Sequence, residues 1–111
     1  MNDWLNQSCQ NRVTPMPIEE VKMALRQISG WTLGEDGKSI TSSWKMKDFS
    51  AAINLVNEVA KIAENEDHHP DFHLQGYRNI TIEFSTHSVS GVSVNDIILA
   101  SKVNKIPKNL L

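Results

Sequence analysis

DFSAAINLVNEVAKIAEN (48–65) decides how the rest of the chain must be arranged. Asp48 is suited to cap a helix. Phe49, Ala52, Ile53, Val56, Ala60 and Ala63 recur at helical spacing and are expected to face a sheet. Ala51, Leu55, Val59 and Ile62 widen the apolar arc to roughly 200° at ~100° per residue, leaving Ser50, Asn54, Asn57, Glu58, Lys61 and Glu64 opposite. One sheet cannot cover so wide an arc. A second stripe facing another subunit is therefore expected, and with it a homo-oligomer. Cover by the chain's own neighbours is the alternative.

On either side of this helix the period changes to two. WTLGEDGKSITSSWKM (31–46) reads as a hairpin turning at Asp36-Gly37. Beyond the turn Ile40, Ser42, Trp44 and Met46 share one face, and Thr41, Ser43 and Lys45 the other. FHLQGYRNITIEFST (72–86) reads as a second hairpin, bent at or near Gly76, with Ile80, Ile82 and Phe84 toward the core. TPMPIEEVKMALRQISGW (14–31) predicts a helix of about 12 residues with Pro17 in its first turn. Glu19 and Glu20 favour its positive end, Ile18, Val21, Met23, Leu25 and Ile28 form its apolar side, and Gly30 stops it. SVNDIILASKVNK (93–105) opens with Ser93 and Asp96 in capping-box spacing and predicts a last helix through about Val103. The order is α-β-β-α-β-β-α. Hairpin strands are antiparallel and the intervening helices pack on one face, so the fold class is α+β.

The 111 residues fit a single domain over 14–111, preceded by a loose arm, 1–13, rich in Asn and Gln and without periodicity. Eleven basic and thirteen acidic residues give a net charge of -2, which provides no field for nucleic acid. The single cysteine, Cys9, cannot form an intrachain disulfide and suits a reducing compartment. Met1 to Gln7 show no basic region followed by an apolar run, and no apolar stretch approaches the ~20 residues of a membrane span. A cytoplasmic protein without membrane association is expected.

ENEDHHPDFH (64–73) places three histidines and four carboxylates in ten positions. His68 and His69 follow the negative end of the long helix, with Glu64, Glu66 and Asp67 beside them, so a proton could be held there for delivery. Pro70 biases His69 toward an extended conformation. His87, between Thr86 and Ser88 just past the last strand, could face this loop. Three readings compete: a metal site, a solvated loop, or an acid/base site around a buried heterocycle. Pro70 argues against the helix that would pair His69 with His73 on a metal, and no cysteine pair assists. Spacing alone does not choose between the other two.

The run Glu64-x-x-x-His68-His69-Pro70, then Tyr77 after six residues, His87 after nine more and Asp96 after eight more, resembles the signature of the pterin-4a-carbinolamine dehydratases. AENEDHHP (63–70) and ITIEFSTHSVSGVSVNDIILA (80–100) are similar to the family's sequences around it. A looser similarity reaches back through Gly30-Trp31, Ile40, Trp44 and Phe49. Phe72 stands where the family more often has Trp, and some members have five residues where six separate Pro70 from Tyr77.

The resemblance implies a four-stranded antiparallel sheet carrying three helices, and assembly as a homodimer or homotetramer. It implies a hydro-lyase that removes water from 4a-hydroxytetrahydropterin to give quinonoid dihydropterin, in tetrahydrobiopterin recycling. No metal and no cofactor are expected. An aromatic amino acid hydroxylase would supply the substrate and is a possible protein partner. By residue, the resemblance places His68, His69 and His87 around the pterin, with His68 and His87 as the proton-transfer pair and His69 mainly a contact. Glu64 would orient a histidine or touch the ring, Pro70 and Phe72 would shape the wall or else be core, and Thr86 and Ser88 would offer backbone or hydroxyl hydrogen bonds to the pterin amide. Tyr77 and Asp96 are expected to be structural, Asp96 at the helix start, and His73 a strand or surface residue. The rival reading is a non-catalytic dimerisation or assembly module that binds a protein partner.

Overall fold

The computed structural model describes residues 3–111; residues 1–2 of the expected arm lie outside the described residues. Three helices, α1 (Ile18–Leu25), α2 (Phe49–Glu66) and α3 (Val94–Asn104), alternate with strands β1 (Thr32–Leu33), β2 (Ile40–Lys45), β3 (Asp71–Gln75) and β4 (Asn79–Phe84). The strands form one antiparallel sheet in the order β1-β2-β4-β3. The two hairpins therefore meet through their longer strands, in register from Ile40↔Phe84 to Lys45↔Asn79. The period-two pattern accounts for the two faces. Ile40, Ile80, Ile82 and Phe84 are buried beneath the helices. Thr41, Ser43, Thr81 and Glu83 point the other way, where the Ser43 and Thr81 hydroxyls lie 2.7 Å apart. This is the α+β architecture and element order that the sequence predicts.

Three local expectations need correction. α1 has 8 residues, not about 12: Pro17 precedes it as its cap, and the chain leaves the helix at Arg26, well before Gly30. Val21, Ala24 and Ile28 are buried, whereas Ile18 and Met23 are exposed. Met23 is two positions from Val21 and so about 200° away around a helix.

The second correction concerns which face of α2 turns inward. Asp48 caps the helix, its carboxylate accepting from the Ala51 N–H at 2.8 Å. The stripe that meets the core is Ala51, Ala52, Leu55, Val59 and Ala63. Phe49 and Ile53, expected against the sheet, are 52% and 36% exposed. With so broad an apolar arc, either stripe satisfies the periodicity. Alanines at 51, 52 and 63 let the helix approach the core closely while Leu55 fills the space between.

The third is the N-terminal segment, of which residues 4–10 are held against the helices. Trp4–Asn6 form a 3-10 turn, and the Trp4 side chain is buried in the same core as α3. An aperiodic segment can still be held by one large apolar anchor.

Candidate active site

The α2–β3 connection delivers two histidines to the sheet edge. Asp67 ends α2 in the left-handed conformation (φ 52°), and the His68 N–H returns to the Ala63 carbonyl at 3.2 Å. This reversal turns His68 inward, where its ring stacks on Phe84 with centroids 6.4 Å apart and planes 14° from parallel. His69 stays outside, its Nε2 2.6 Å from the Glu64 carboxylate, with both side chains largely exposed.

His87 arrives by a different route. Past β4 the chain makes a narrow loop pinched shut at Thr86 and Gly91, whose backbones pair, the Thr86 N–H donating at 2.8 Å. A 3-10 turn over His87–Val89 and a left-handed Ser90 (φ 52°) fill the loop and leave the His87 side chain exposed.

Between the two routes lies a cavity of about 320 Å³, lined by Asp67, His68, His69, Pro70, Asp71, Ser85, Thr86, His87 and Ser88. The volume falls at the lower end of the roughly 300–1,000 Å³ usual for small-ligand sites. The histidines at 68, 69 and 87 are thus brought to one hollow. His73 is not: it lies on the outer sheet face, 3.7 Å from Glu83. A second hollow of about 290 Å³ shares Ser85, Thr86 and His87 and is bounded by Lys38. Larger clefts open elsewhere, one of about 580 Å³ beside Trp4 and Arg12, and they contain none of these histidines.

Beneath the cavity Asp96, fully buried, holds the arrangement together. Its Oδ2 accepts from the Ser93 N–H at 2.9 Å, closing the capping box of α3, and from the Thr86 hydroxyl at 2.8 Å. Its Oδ1 lies 2.6 Å from Nε2 of His68. An ionised carboxylate offers only lone pairs, so this bond takes its hydrogen from Nε2 of His68. The Thr86 and Ser93 hydroxyls are 2.8 Å apart and complete the network.

Several sequence expectations are changed here. Asp96 does start the helix, but it also anchors a histidine 28 residues away; its second oxygen was the overlooked signal. Thr86 lines the cavity, yet its hydroxyl is committed to Asp96 and Ser93, so it has no proton to offer a pterin amide. Phe72 does not line the cavity: it packs against the core from β3, opposite Ile82. Glu64 reaches His69 but is also outside the lining. Pro70 and Ser88 do line it, and Asp71 and Ser85 join them unforeseen. Tyr77, at the hairpin tip with φ 57°, is exposed. Among the described residues no group of three His, Cys, Asp or Glu side chains is arranged to hold a metal ion.

A one-sided α+β sheet thus brings three imidazoles to one hollow, with a buried carboxylate hydrogen-bonded to the first of them. The chain belongs to the pterin 4 alpha carbinolamine dehydratase family, a family of hydro-lyases, whose sequence model matches residues 14–106. A relative from Arabidopsis thaliana, called pterin-4-alpha-carbinolamine dehydratase 2, mitochondrial, is 42% identical over 82% of this chain and 50% of its own length. The chain thus spans only half of that plant protein. A relative from Halorhodospira halophila, whose name assigns the same activity provisionally, is 39% identical over 88% of this chain and 89% of its own. A crystal structure from Brucella melitensis, described as a transcriptional coactivator/pterin dehydratase, superposes with a TM-score of 0.77. It shares 36% identity and covers 82% of this chain and 96% of that one.

Proposed function

We propose that the protein dehydrates 4a-hydroxytetrahydropterin to quinonoid dihydropterin by histidine acid/base catalysis. The observation that supports this best is the single cavity lined by His68, His69 and His87, with His68 fixed from below by Asp96. In the reaction an acid protonates the hydroxyl on carbon 4a and the N5 lone pair expels it as water. The C4a=N5 double bond forms, and a base takes the N5 proton. Imidazole, with a reference pKa near ~6.5, can serve either step at neutral pH. His68 and His87, which both line the cavity, are the proton-transfer pair in this reading. His69 and Ser88 contact the guest, and Pro70 shapes the wall.

The product is a form that a reductase can recycle, so the reaction would follow a pterin-dependent hydroxylation. The lone cysteine fits a reducing compartment such as the cytoplasm. The test is direct. Purified protein added to freshly generated 4a-hydroxytetrahydropterin should speed its optical disappearance well above the spontaneous rate, and an unchanged rate would defeat the proposal.

The exposed Phe49 and Ile53 support a homo-oligomer assembled through the outer stripe of α2. Size-exclusion chromatography with light scattering should give a multiple of 12.5 kDa. Phe49→Glu should shift the protein toward monomer, whereas a wild-type monomer at high concentration would remove the interface. The rival reading, an assembly module without catalysis, finds support in the coactivator description of the Brucella protein. It predicts that the cavity histidines are dispensable.

A further inference from the structure

The N-terminal segment lies outside the family match, yet it is tied to both halves of the His68–Asp96 pair. Its start is anchored by buried Trp4, and the Lys102 ammonium on α3 donates to the Leu5 carbonyl at 2.9 Å. Two consecutive residues then bridge two helices. The Cys9 N–H donates to Oε1 of Glu66 at 2.7 Å, and Glu66 is the last residue of α2, two before His68. The Gln10 N–H donates to Oδ1 of Asn95 at 2.9 Å, while Nδ2 of Asn95 returns a bond to the Gln10 carbonyl at 2.9 Å. Asn95 is 4% exposed and adjoins Asp96. Its amide thus offers the segment the same donor and acceptor that a neighbouring strand would.

We propose that residues 4–10 form a strap that sets the His68–Asp96 distance, making Glu66 and Asn95 positioning residues for proton transfer. His68 and Asp96 come from chain segments 28 residues apart, joined directly by one hydrogen bond. The strap fixes Glu66, two residues before His68, and Asn95, next to Asp96, to adjacent residues of a third segment, which opposes sliding of α2 against α3 at the site. The Cys9 thiol strengthens the joint, its sulfur lying 3.7 Å from the Asn95 carbonyl. Burial, and then the nearby Glu66 carboxylate, push this thiol up to about 12, so it stays protonated and able to donate. Misplacement of a reacting group by about 1 Å can cost on the order of 10²-fold in rate, so a strap outside the cavity can still be felt in turnover.

The inference rests on the dehydratase reading for its kinetic test but not for its spectroscopic one. Glu66→Ala and Asn95→Ala should each lower kcat about tenfold, equivalent to about 1.4 kcal/mol of barrier, with KM within about twofold. Glu66→Gln keeps an oxygen to accept from Cys9 and should restore kcat to within about twofold of wild type. Unchanged kcat in the alanine variants overturns the strap, and so does a Gln variant as impaired as the Ala one. Should Asn95→Ala fail to fold, the half-buried Glu66 pair decides alone. If the wild type shows no dehydration at all, that reading fails separately. The strap is then read from the nitrogen-bound proton of His68 by NMR. The signal should be protected from exchange in the wild type and in Glu66→Gln and broadened in Glu66→Ala; identical spectra overturn the strap.

Discussion

Asp96→Ala is expected to destabilise the protein by several kcal/mol, because it removes the shared acceptor of a buried hydrogen-bond network. The carboxylate is fully buried and receives hydrogens from His68, Thr86 and the Ser93 backbone. Without it, three donors lose their acceptor, and each buried donor left unpaired costs about 1–3 kcal/mol before any water enters. One of the three, the Ser93 N–H, belongs to the capping box of α3, which opens at the same time. Urea unfolding should show the midpoint falling with its slope unchanged. A loss below about 1 kcal/mol would mean that the network does not hold the helix to the site. Asp96→Asn keeps the volume and one acceptor, so it should fold better than the alanine variant. It should still impair turnover, because the amide cannot accept at both positions as the carboxylate does.

His68→Ala and His87→Ala should each reduce kcat/KM by about 10²–10⁴-fold, the usual worth of one positioned proton transfer. The two variants should differ in stability. His68 stacks on Phe84 and binds Asp96, so its loss also strands a buried carboxylate oxygen. His87 is exposed on its loop and has no such debt to the core. Thermal unfolding should therefore drop for His68→Ala and stay near wild type for His87→Ala. If both transfers belong to one elimination, the double variant should be little worse than the poorer single one, since residues acting as a unit are not additive. Rates within about threefold of wild type for both single variants, with folding intact, would favour the assembly module instead.

Local chemistry explains why so much of the fold was legible. The strands announce themselves because Ile40, Ile80, Ile82 and Phe84 obey a period set by the backbone itself. Asp48 and Ser93 cap helices by reaching amides only two or three residues away. The motif residues at 68, 69 and 87 were legible only through resemblance. Spacing left open whether they met, because the hollow between them depends on where two separate loops end up.

The sequence by itself determined the element order, the antiparallel pairing within each hairpin and the histidine doublet at the end of a helix. All of these are short-range consequences of period, capping and turn geometry. Only the tertiary structure decided which stripe of α2 faces inward, that residues 4–10 bind α2 to α3, and that Asp96 spends one oxygen on its own helix and the other on His68. Those choices join residues tens of positions apart. Packing and the need to satisfy every buried polar atom settle them, and neither leaves a mark in the local pattern.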